Sequence, residues 1–127
     1  MDKIETRSAV ISLYEKNLVW EDFKMNRVID VSDIRENIAA SLKLTNGVRH
    51  LAVLDTRGKN LSITDEAMKY GASKSVTRDR IATAHLTNSL HGRVIGNFFI
   101  KFFRPKIKNR MFTDEKEALK WLRSFSV

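Results

Sequence analysis

The sequence predicts one α/β domain on a mixed sheet, in which an N-terminal β-hairpin is followed by alternating strands and helices. Two segments rich in β-branched and aromatic residues, 4–14 and 18–23, flank a short polar turn and predict the hairpin. The segment 50–54 is almost continuously apolar, which is typical of a strand buried on both faces inside a sheet. From residue 80 to residue 104 the hydrophobic period changes from that of a strand to that of a helix.

The first helix has clear start and stop signals. Asp30 or Ser32 can cap a helix that runs to about Leu44, where Asn46 and Gly47 end it. Its apolar residues recur at helical spacing and predict a buried stripe made of Val31, Ile34, Ile38 and Leu42.

The later elements alternate strictly between helix and strand. They are a helix at 65–73, a strand at 81–86, an aromatic helix at 94–103, a strand at 109–112 and a last helix at 114–125. Ser62 or Thr64 can cap the first of these helices, and Thr113 the last. The alternation predicts parallel strands joined by right-handed crossovers.

The composition excludes several classes of protein. The 127 residues contain no cysteine, which excludes disulfides, thiolate metal sites and cysteine nucleophiles. The start of the chain has no apolar core of signal-peptide length, and no segment approaches the roughly 20 apolar residues of a membrane span. We therefore expect a single cytoplasmic domain over residues 1–127, without a membrane span, and nothing in the sequence indicates a cofactor.

The positive charge is concentrated in one part of the chain. The formal net charge is +8, and residues 67–113 contain ten basic residues and one acidic residue. The densest basic patch consists of Lys101, Arg104, Lys106, Lys108 and Arg110. Such a segment favours an acidic protein, a phosphorylated ligand, an anionic lipid or nucleic acid as partner, unless it serves only solubility. No nucleic-acid-binding motif accompanies it, so we expect no nucleic-acid partner.

The helix at 94–103 has more apolar surface than one face can bury. Its candidate ligand or dimer residues are Val94, Ile95, Phe98, Phe99, Phe102 and Phe103. If Phe99 or Phe103 is partly uncovered, the helix can roof an apolar pocket, lie on a membrane or form a homodimer contact. Otherwise it is a core helix under the sheet. We expect a homodimer as the additional role of this surface.

Three segments resemble the STAS family, and more closely its SpoIIAA-like branch of small bacterial proteins. They are LAVLDTRG, a strand that ends in an acidic residue, then IATAHLTNSLHGRVIGNFFIKF, a strand with its aromatic helix, and the ending MFTDEKEALKWLRSF. The resemblance implies a sheet with helices mainly on one face, shared in outline with CRAL-TRIO lipid carriers. It also implies a regulatory binding module.

The resemblance further implies a phosphoacceptor near a helix N-terminus. Members that antagonise anti-sigma factors are phosphorylated on a serine that follows the acidic strand end. The equivalent region here begins at Asp55, and Ser62 and Thr64 are the candidate acceptors. The Asp-Ser-Ser-Gly type of loop is replaced here by the residues 60–64, and helix capping is the other role open to Ser62 and Thr64.

No catalytic motif is present, so we expect no enzymatic activity. His50, His85 and His91 lack a metal-binding spacing, and no Ser-His-acid order or glycine-rich phosphate loop occurs. Two functions remain open. The first is a regulatory protein-binding module, and the second is a carrier or sensor of a small apolar or acyl ligand or lipid held under the 94–103 helix.

Overall fold

Most strands of the domain follow the apolar segments of the sequence. The computed structural model describes residues 2–125, and within them the strands are β1 (Lys3–Glu5), β2 (Ala9–Glu15), β3 (Leu18–Phe23), β4 (Val28–Ile29), β5 (His50–Asp55), β6 (Ser62–Ile63), β7 (Arg80–Leu86) and β8 (Lys108–Phe112). Six of these strands form one sheet in the order β1-β2-β3-β5-β7-β8, and β4 pairs with β6. The first three strands are antiparallel, and β3, β5, β7 and β8 are parallel. The predicted mixed α/β sheet is therefore confirmed, with β5 in its interior.

Five α-helices connect or follow these strands in the described residues. They are α1 (Val31–Leu44), α2 (Asp65–Gly71), α3 (Lys74–Thr77), α4 (Leu90–Phe98) and α5 (Glu115–Arg123). α4 continues as a π-helical segment, Phe99–Phe103, and a left-handed Arg104 with φ of 48° ends it. Such π-helical turns are rare and are often found at functional sites.

α1 begins at the predicted cap. The Asp30 side chain accepts a hydrogen bond of 3.0 Å from the backbone N–H of Asp33, whose carboxylate accepts one of 3.0 Å from the backbone N–H of Asp30. This reciprocal pair is a capping box, and loss of such a cap costs about 1 kcal/mol.

The buried side of α1 is more polar than its apolar periodicity predicts. Val31 and Leu42 are only half-buried, whereas Asp33, Asn37 and Ser41 are buried. The polar side chains are tolerated because the β1–β2 turn supplies their partners. Asn37 accepts a 2.6 Å hydrogen bond from the Thr6 hydroxyl, and Arg7 makes two hydrogen bonds to the Asp33 carboxylate.

Four predicted boundaries are wrong. The aromatic helix begins at Leu90 rather than Val94, because the Ser89 hydroxyl caps it by accepting from the backbone N–H of Gly92 at 3.0 Å. The segment 4–14 is two antiparallel strands rather than one, because Thr6 closes a turn with Ala9 through hydrogen bonds of 2.8 and 3.1 Å. α3 occupies part of the segment expected to be a connection. The cap of α5 is Asp114 rather than Thr113, since its carboxylate accepts from the backbone N–H of Lys116 at 3.0 Å.

The helices cover the two faces of the sheet unequally. α5 packs on one face, where Leu119 and Leu122 join Val53 and Leu86 in an apolar cluster. α1, α2, α3 and α4 lie on the opposite face. We call these the α5 face and the α4 face of the sheet.

Candidate ligand-binding site between the sheet and helix α4

A cavity of about 150 Å³ lies between the α4 face of the sheet and helices α1 to α4. Its walls are mostly apolar, and they include Phe23, Ile34, Leu54, Met68, Val76, Ile95, Phe99 and Met111. The exposed residues Asn60, Ser89 and His91 are at its edge, next to the start of α4. Every helix on this face therefore contributes to one pocket.

Two glycines set how closely α4 approaches the sheet. A Cβ atom at Gly96 would lie 2.4 Å from the sulfur of Met111 on β8, and one at Gly92 would lie 2.1 Å from the hydroxyl of Thr87. A Cβ at either position would therefore require the neighbouring side chain to shift. This close approach defines the roof of the cavity.

A buried ion pair forms part of the cavity wall. The side chains of Glu21 and Arg80 are 2% and 8% exposed, and one terminal nitrogen of Arg80 donates a hydrogen bond to the Glu21 carboxylate. Burial raises the pKa of Glu21, although the charge and hydrogen bond of Arg80 act in the opposite direction. The Nε atom of Arg80 is buried and has no hydrogen-bond partner among the described residues.

His85 presents a hydrogen-bond acceptor. Asn109 donates through Nδ2 to the carbonyl oxygen of Ile107 at 3.1 Å, so its Oδ1 atom faces His85 and accepts from Nε2 at 2.7 Å. The proton of a neutral imidazole is then on Nε2, and Nδ1 keeps a free lone pair. Burial lowers the pKa of His85 to about 4; the hydrogen bond to Asn109 opposes this, and the charge of Arg80 adds to it. The ring is therefore neutral at pH 7.

The aromatic helix divides its apolar residues between two surfaces. Ile95 and Phe99 line the cavity, and the Phe99 ring lies 5.8 Å from that of His85. The side chains that point away from the cavity are those of Val94, Phe98 and Phe102. Phe103 is half-buried, with its ring 5.1 Å from Phe102 and 6.5 Å from Phe99. Only part of the predicted ligand surface therefore faces the pocket.

Asp55 is committed to a structural cluster on the α5 face. Its carboxylate accepts two hydrogen bonds from the Arg57 side chain, at 2.9 and 3.0 Å, and one from the Trp20 indole at 3.2 Å. Arg57 also pairs with Glu115 of α5 at 3.1 Å. Burial alone would raise the pKa of Asp55, but the hydrogen bonds and charge of Arg57 lower it below its ordinary value.

Ser62 and Thr64 are on the opposite side of the sheet from Asp55. Thr64 caps α2, and its hydroxyl accepts a 3.1 Å hydrogen bond from the backbone N–H of Ala67. Ser62 is exposed in β6, whose neighbour Ile63 packs with the core of the α4 face. The structure therefore does not bring the three predicted regulatory residues together.

The basic patch is exposed along its whole length. Lys101, Arg104, Lys106, Lys108 and Arg110 are all on the surface, and none forms an ion pair with another residue of the range 2–125. Arg110 lies over the Phe112 ring at 5.3 Å, where a cation–π contact contributes about 0.5–1 kcal/mol at an exposed site. The patch is therefore available to a negatively charged partner.

Metal and membrane sites are not found in the part of the chain that the structure describes. No three histidine, aspartate or glutamate side chains between residues 2 and 125 are grouped so that they would hold a metal ion. No helix in this range is long and apolar enough to span a membrane.

Sequence reasoning overlooked the polar residues of the cavity, although their signal was present. Strand β3 alternates so that Val19, Glu21 and Phe23 share one face, which puts a carboxylate among buried apolar residues. Thr83 and His85 share the cavity face of β7, whereas Arg80 reaches the same cavity only through a register irregularity between β5 and β7. Charged or titratable residues in the buried phase of a strand indicate a polar site inside the domain.

A family described as a domain of unknown function (DUF7793) matches residues 12–126. The chain belongs to this family. The match covers nearly the whole sheet and every helix, so the family assignment applies to the domain that contains the cavity. No curated protein and no solved structure matches the chain.

The predicted membership in the STAS family is wrong, because the family that matches is DUF7793. The segments that suggested STAS follow a strand–loop–helix order that many α/β domains share. The apolar strand LAVLD, the aromatic helix and the final amphipathic helix have patterns that packing alone requires. Such patterns do not show common ancestry. The alternation of the main strands and helices was predicted from the hydrophobic pattern and does not depend on this resemblance.

Proposed function

We propose that the protein binds a small, mostly apolar molecule in the cavity between the sheet and α4, as a carrier or sensor without enzymatic activity. The cavity is the observation that carries this proposal. Protein interiors contain few voids larger than a water molecule, whereas this one has a volume of about 150 Å³. Apolar walls with a few convergent polar groups are typical of small-molecule sites.

The volume favours a ligand smaller than a fatty acid. An apolar cavity of about 150 Å³ holds a molecule the size of benzene, with about six to eight non-hydrogen atoms. A long acyl chain or a phospholipid would require α4 to move away from the sheet. We therefore propose a single aromatic ring or a short branched compound rather than a lipid.

Titration with toluene tests this proposal. We expect saturable one-site binding by the purified protein in isothermal calorimetry and changes in the NMR signals of residues around Ile95 and Phe99. Enlarging Ile95 to Trp is expected to abolish binding because the indole fills the cavity. The matched control is Val94→Trp, which adds the same side chain to the exposed side of α4 and should bind toluene as the wild type does.

Folding of the variants is checked by thermal denaturation, and Ile95→Phe provides a milder filling change if Ile95→Trp unfolds. Wild-type protein that gives neither heat nor spectral change at saturating toluene would overturn the proposal. Equal loss of binding in Val94→Trp and Ile95→Trp would overturn the assignment to this cavity.

A second candidate function is docking of an acidic protein on the outer side of α4, as expected of a regulatory module. Leu90, Val94, Phe98 and Phe102 recur every four residues and are 46–70% exposed, which makes an apolar stripe along one side of the helix. The basic patch is close to the end of this stripe. Exposed aromatic residues beside unpaired positive charge are typical of a surface that binds an acidic partner.

Site-specific photo-crosslinking in the host cell tests the docking surface. A benzophenone side chain in place of Phe102 is expected to crosslink an acidic protein in the cell. When crosslinking is repeated in a cell lysate, the yield should fall as the salt concentration is raised, because salt screens the contact between the basic patch and its partner. The control position is Tyr14, which is 47% exposed on β2. A crosslinked second copy of the chain would show the predicted homodimer instead, and crosslinked lipid would show membrane contact. Either result would overturn this candidate.

A further inference from the structure

The cavity contains hydrogen-bonding atoms that its own walls leave unused. Arg80 is only 6% exposed, and its Nε–H group is a buried donor without a partner among residues 2–125. The Nδ1 atom of His85 is an acceptor, because the bond to Asn109 fixes the proton on Nε2. The second carboxylate oxygen of Glu21 also makes no hydrogen bond within residues 2–125. Buried polar atoms are nearly always hydrogen-bonded, so the unpartnered Nε–H of Arg80 indicates an occupant that carries an acceptor.

We propose that the ligand is a neutral hydroxyl compound with an apolar body, such as a phenol, whose oxygen accepts from Arg80 and whose proton is donated to His85. This inference rests on the proposed function of the cavity. A hydroxyl group accepts and donates on a single atom, so it can accept from the Arg80 Nε–H and donate its one proton to the His85 Nδ1 atom. A ketone, an ether or a hydrocarbon cannot donate to His85.

The charge of the wall excludes an ionised ligand. Arg80 already has a counter-ion in Glu21, so a carboxylate ligand would add an uncompensated negative charge to a buried site. His85 cannot neutralise that charge at pH 7, because its imidazole is held in the neutral form by burial. A ligand cation would meet Arg80 in the same wall, and Glu21 is already paired. A neutral group is therefore the one that adds no buried charge.

The aromatic neighbours favour a ring as the apolar body. The Phe99 ring is tilted by 48° to the His85 ring, with 5.8 Å between the ring centroids, and it lines the same cavity as Phe23. Aromatic rings prefer tilted or offset neighbours at such distances and gain about 0.5–1.5 kcal/mol beyond their buried area. Phenol has about the same size as benzene and therefore fits the volume.

Competition among toluene, phenol and benzoate tests the inference, because toluene and phenol have almost the same size. We expect phenol to bind the wild-type protein at least about tenfold more tightly than toluene, since sites built to hydrogen-bond a hydroxyl discriminate strongly against an analogue without it. Benzoate is expected to bind at least about tenfold more weakly than phenol at pH 7. In the His85→Phe variant the preference for phenol should fall while toluene binding persists.

The outcomes separate this inference from the proposed function. If toluene binds as tightly as phenol, the cavity site is retained and the hydroxyl inference is overturned. If benzoate binds more tightly than phenol, the neutral-ligand argument is overturned. If none of the three compounds binds, both the inference and the proposed function fail. If His85→Phe binds neither compound, Asn109→Leu is used instead. This change removes the hydrogen bond that fixes the His85 proton on Nε2, and it adds no volume next to Phe99. An unchanged preference for phenol over toluene in the variant would overturn the inference.

Discussion

The two faces of the sheet are built in opposite ways. On the α5 face, leucine, valine and alanine side chains from β3, β5 and β7 pack on α5, and Leu18, Val53, Ala84 and Leu122 are fully buried. On the α4 face, an ion pair, a neutral histidine and a buried asparagine share the interior with apolar residues. The α4 face also has a cavity of about 150 Å³. One side of the sheet is thus a packed apolar core, and the other contains the candidate site.

The contrast shows why one sheet can have a packed apolar core on one face and a cavity with buried polar groups on the other. Buried polar groups cost free energy unless they are paired, and a cavity forfeits the contacts of the atoms around it. A protein with a free energy of unfolding of about 5–15 kcal/mol can tolerate those costs when another region is packed well. The strongest test of this view is to damage each face in turn and compare the losses.

The largest expected effect is on the α4 face, where Arg80→Met breaks the buried ion pair. We expect the free energy of unfolding at pH 7 to fall by about 3–5 kcal/mol, because Glu21 is left as an uncompensated buried charge. Urea denaturation followed by circular dichroism measures this change. The double variant Arg80→Met with Glu21→Leu should lose clearly less than Arg80→Met alone, and an equal or greater loss would contradict the argument.

The same variant has a pH signature. A carboxyl group whose pKa is raised by folding contributes stability below its unfolded pKa and loses it as the pH rises through the folded pKa. Burial raises the pKa of Glu21, and the loss of Arg80 should raise it further. Arg80→Met is therefore expected to regain part of its lost stability, relative to wild type, as the pH is lowered from 7 towards 4.5, the ordinary pKa of glutamate.

Packing on the α5 face is tested by Leu122→Ala. Leu122 is fully buried, and truncation of such a leucine costs about 3 kcal/mol through lost burial and the cavity that remains. The matched change on the other face, Ile95→Ala, is expected to cost about 1 kcal/mol or less, since Ile95 already borders empty space. Equal losses in urea denaturation would show that the two faces are packed alike.

The neutral His85 on the α4 face should make the free energy of unfolding depend on pH by on the order of 2 kcal/mol. Folding lowers the pKa of His85 from 6.5 to about 4, so its contribution is present above pH 6.5 and is lost as the pH falls through 4. We expect the unfolding free energy of the wild type to decrease over this range more steeply than that of His85→Phe. The raised pKa of Glu21 changes the unfolding free energy in the opposite direction, and the lowered pKa of His50 changes it in the same direction. Both residues are present in the wild type and in His85→Phe, so the comparison isolates His85. Parallel pH profiles would contradict the assignment.

The α5 face was more predictable from the sequence than the α4 face. Continuous apolar residues in β5 and the inner residues Ala118 and Leu122 of α5 follow directly from hydrophobic period. The hairpin strand β3 also has its predicted bounds. These features are local, because a few neighbouring residues decide them.

The α4 face depends on contacts between distant parts of the chain. Thr6 ends β1 because its hydroxyl bonds to Ala9 and Asn37, and no pattern within residues 4–14 reveals a partner on α1. Glu21 and Arg80 are 59 residues apart, so their pairing follows from strand order rather than from spacing. The split of the aromatic helix into inner Phe99 and outer Phe98 requires the position of the sheet.

The smallest expected effect on stability comes from Gly96→Ala, which acts on the cavity alone. A Cβ at this position would approach the Met111 sulfur to 2.4 Å, and the flexible end of that methionine can turn into the cavity that it lines. We expect a change in unfolding free energy below about 1 kcal/mol, because alanine also favours the helix, and a three- to tenfold weaker affinity for toluene, of the order expected for about 1 kcal/mol of overpacking.

Asn97→Ala is the control for this glycine. Asn97 is exposed on α4 and does not line the cavity, so toluene affinity should stay close to that of the wild type. Isothermal calorimetry and urea denaturation of both variants separate a change in the cavity from a change in the fold. Wild-type toluene affinity in Gly96→Ala would show that Met111 does not move into the cavity, which contradicts the prediction. Reduced affinity without lost stability would show that the roof of the cavity can change while the apolar core on the α5 face stays intact.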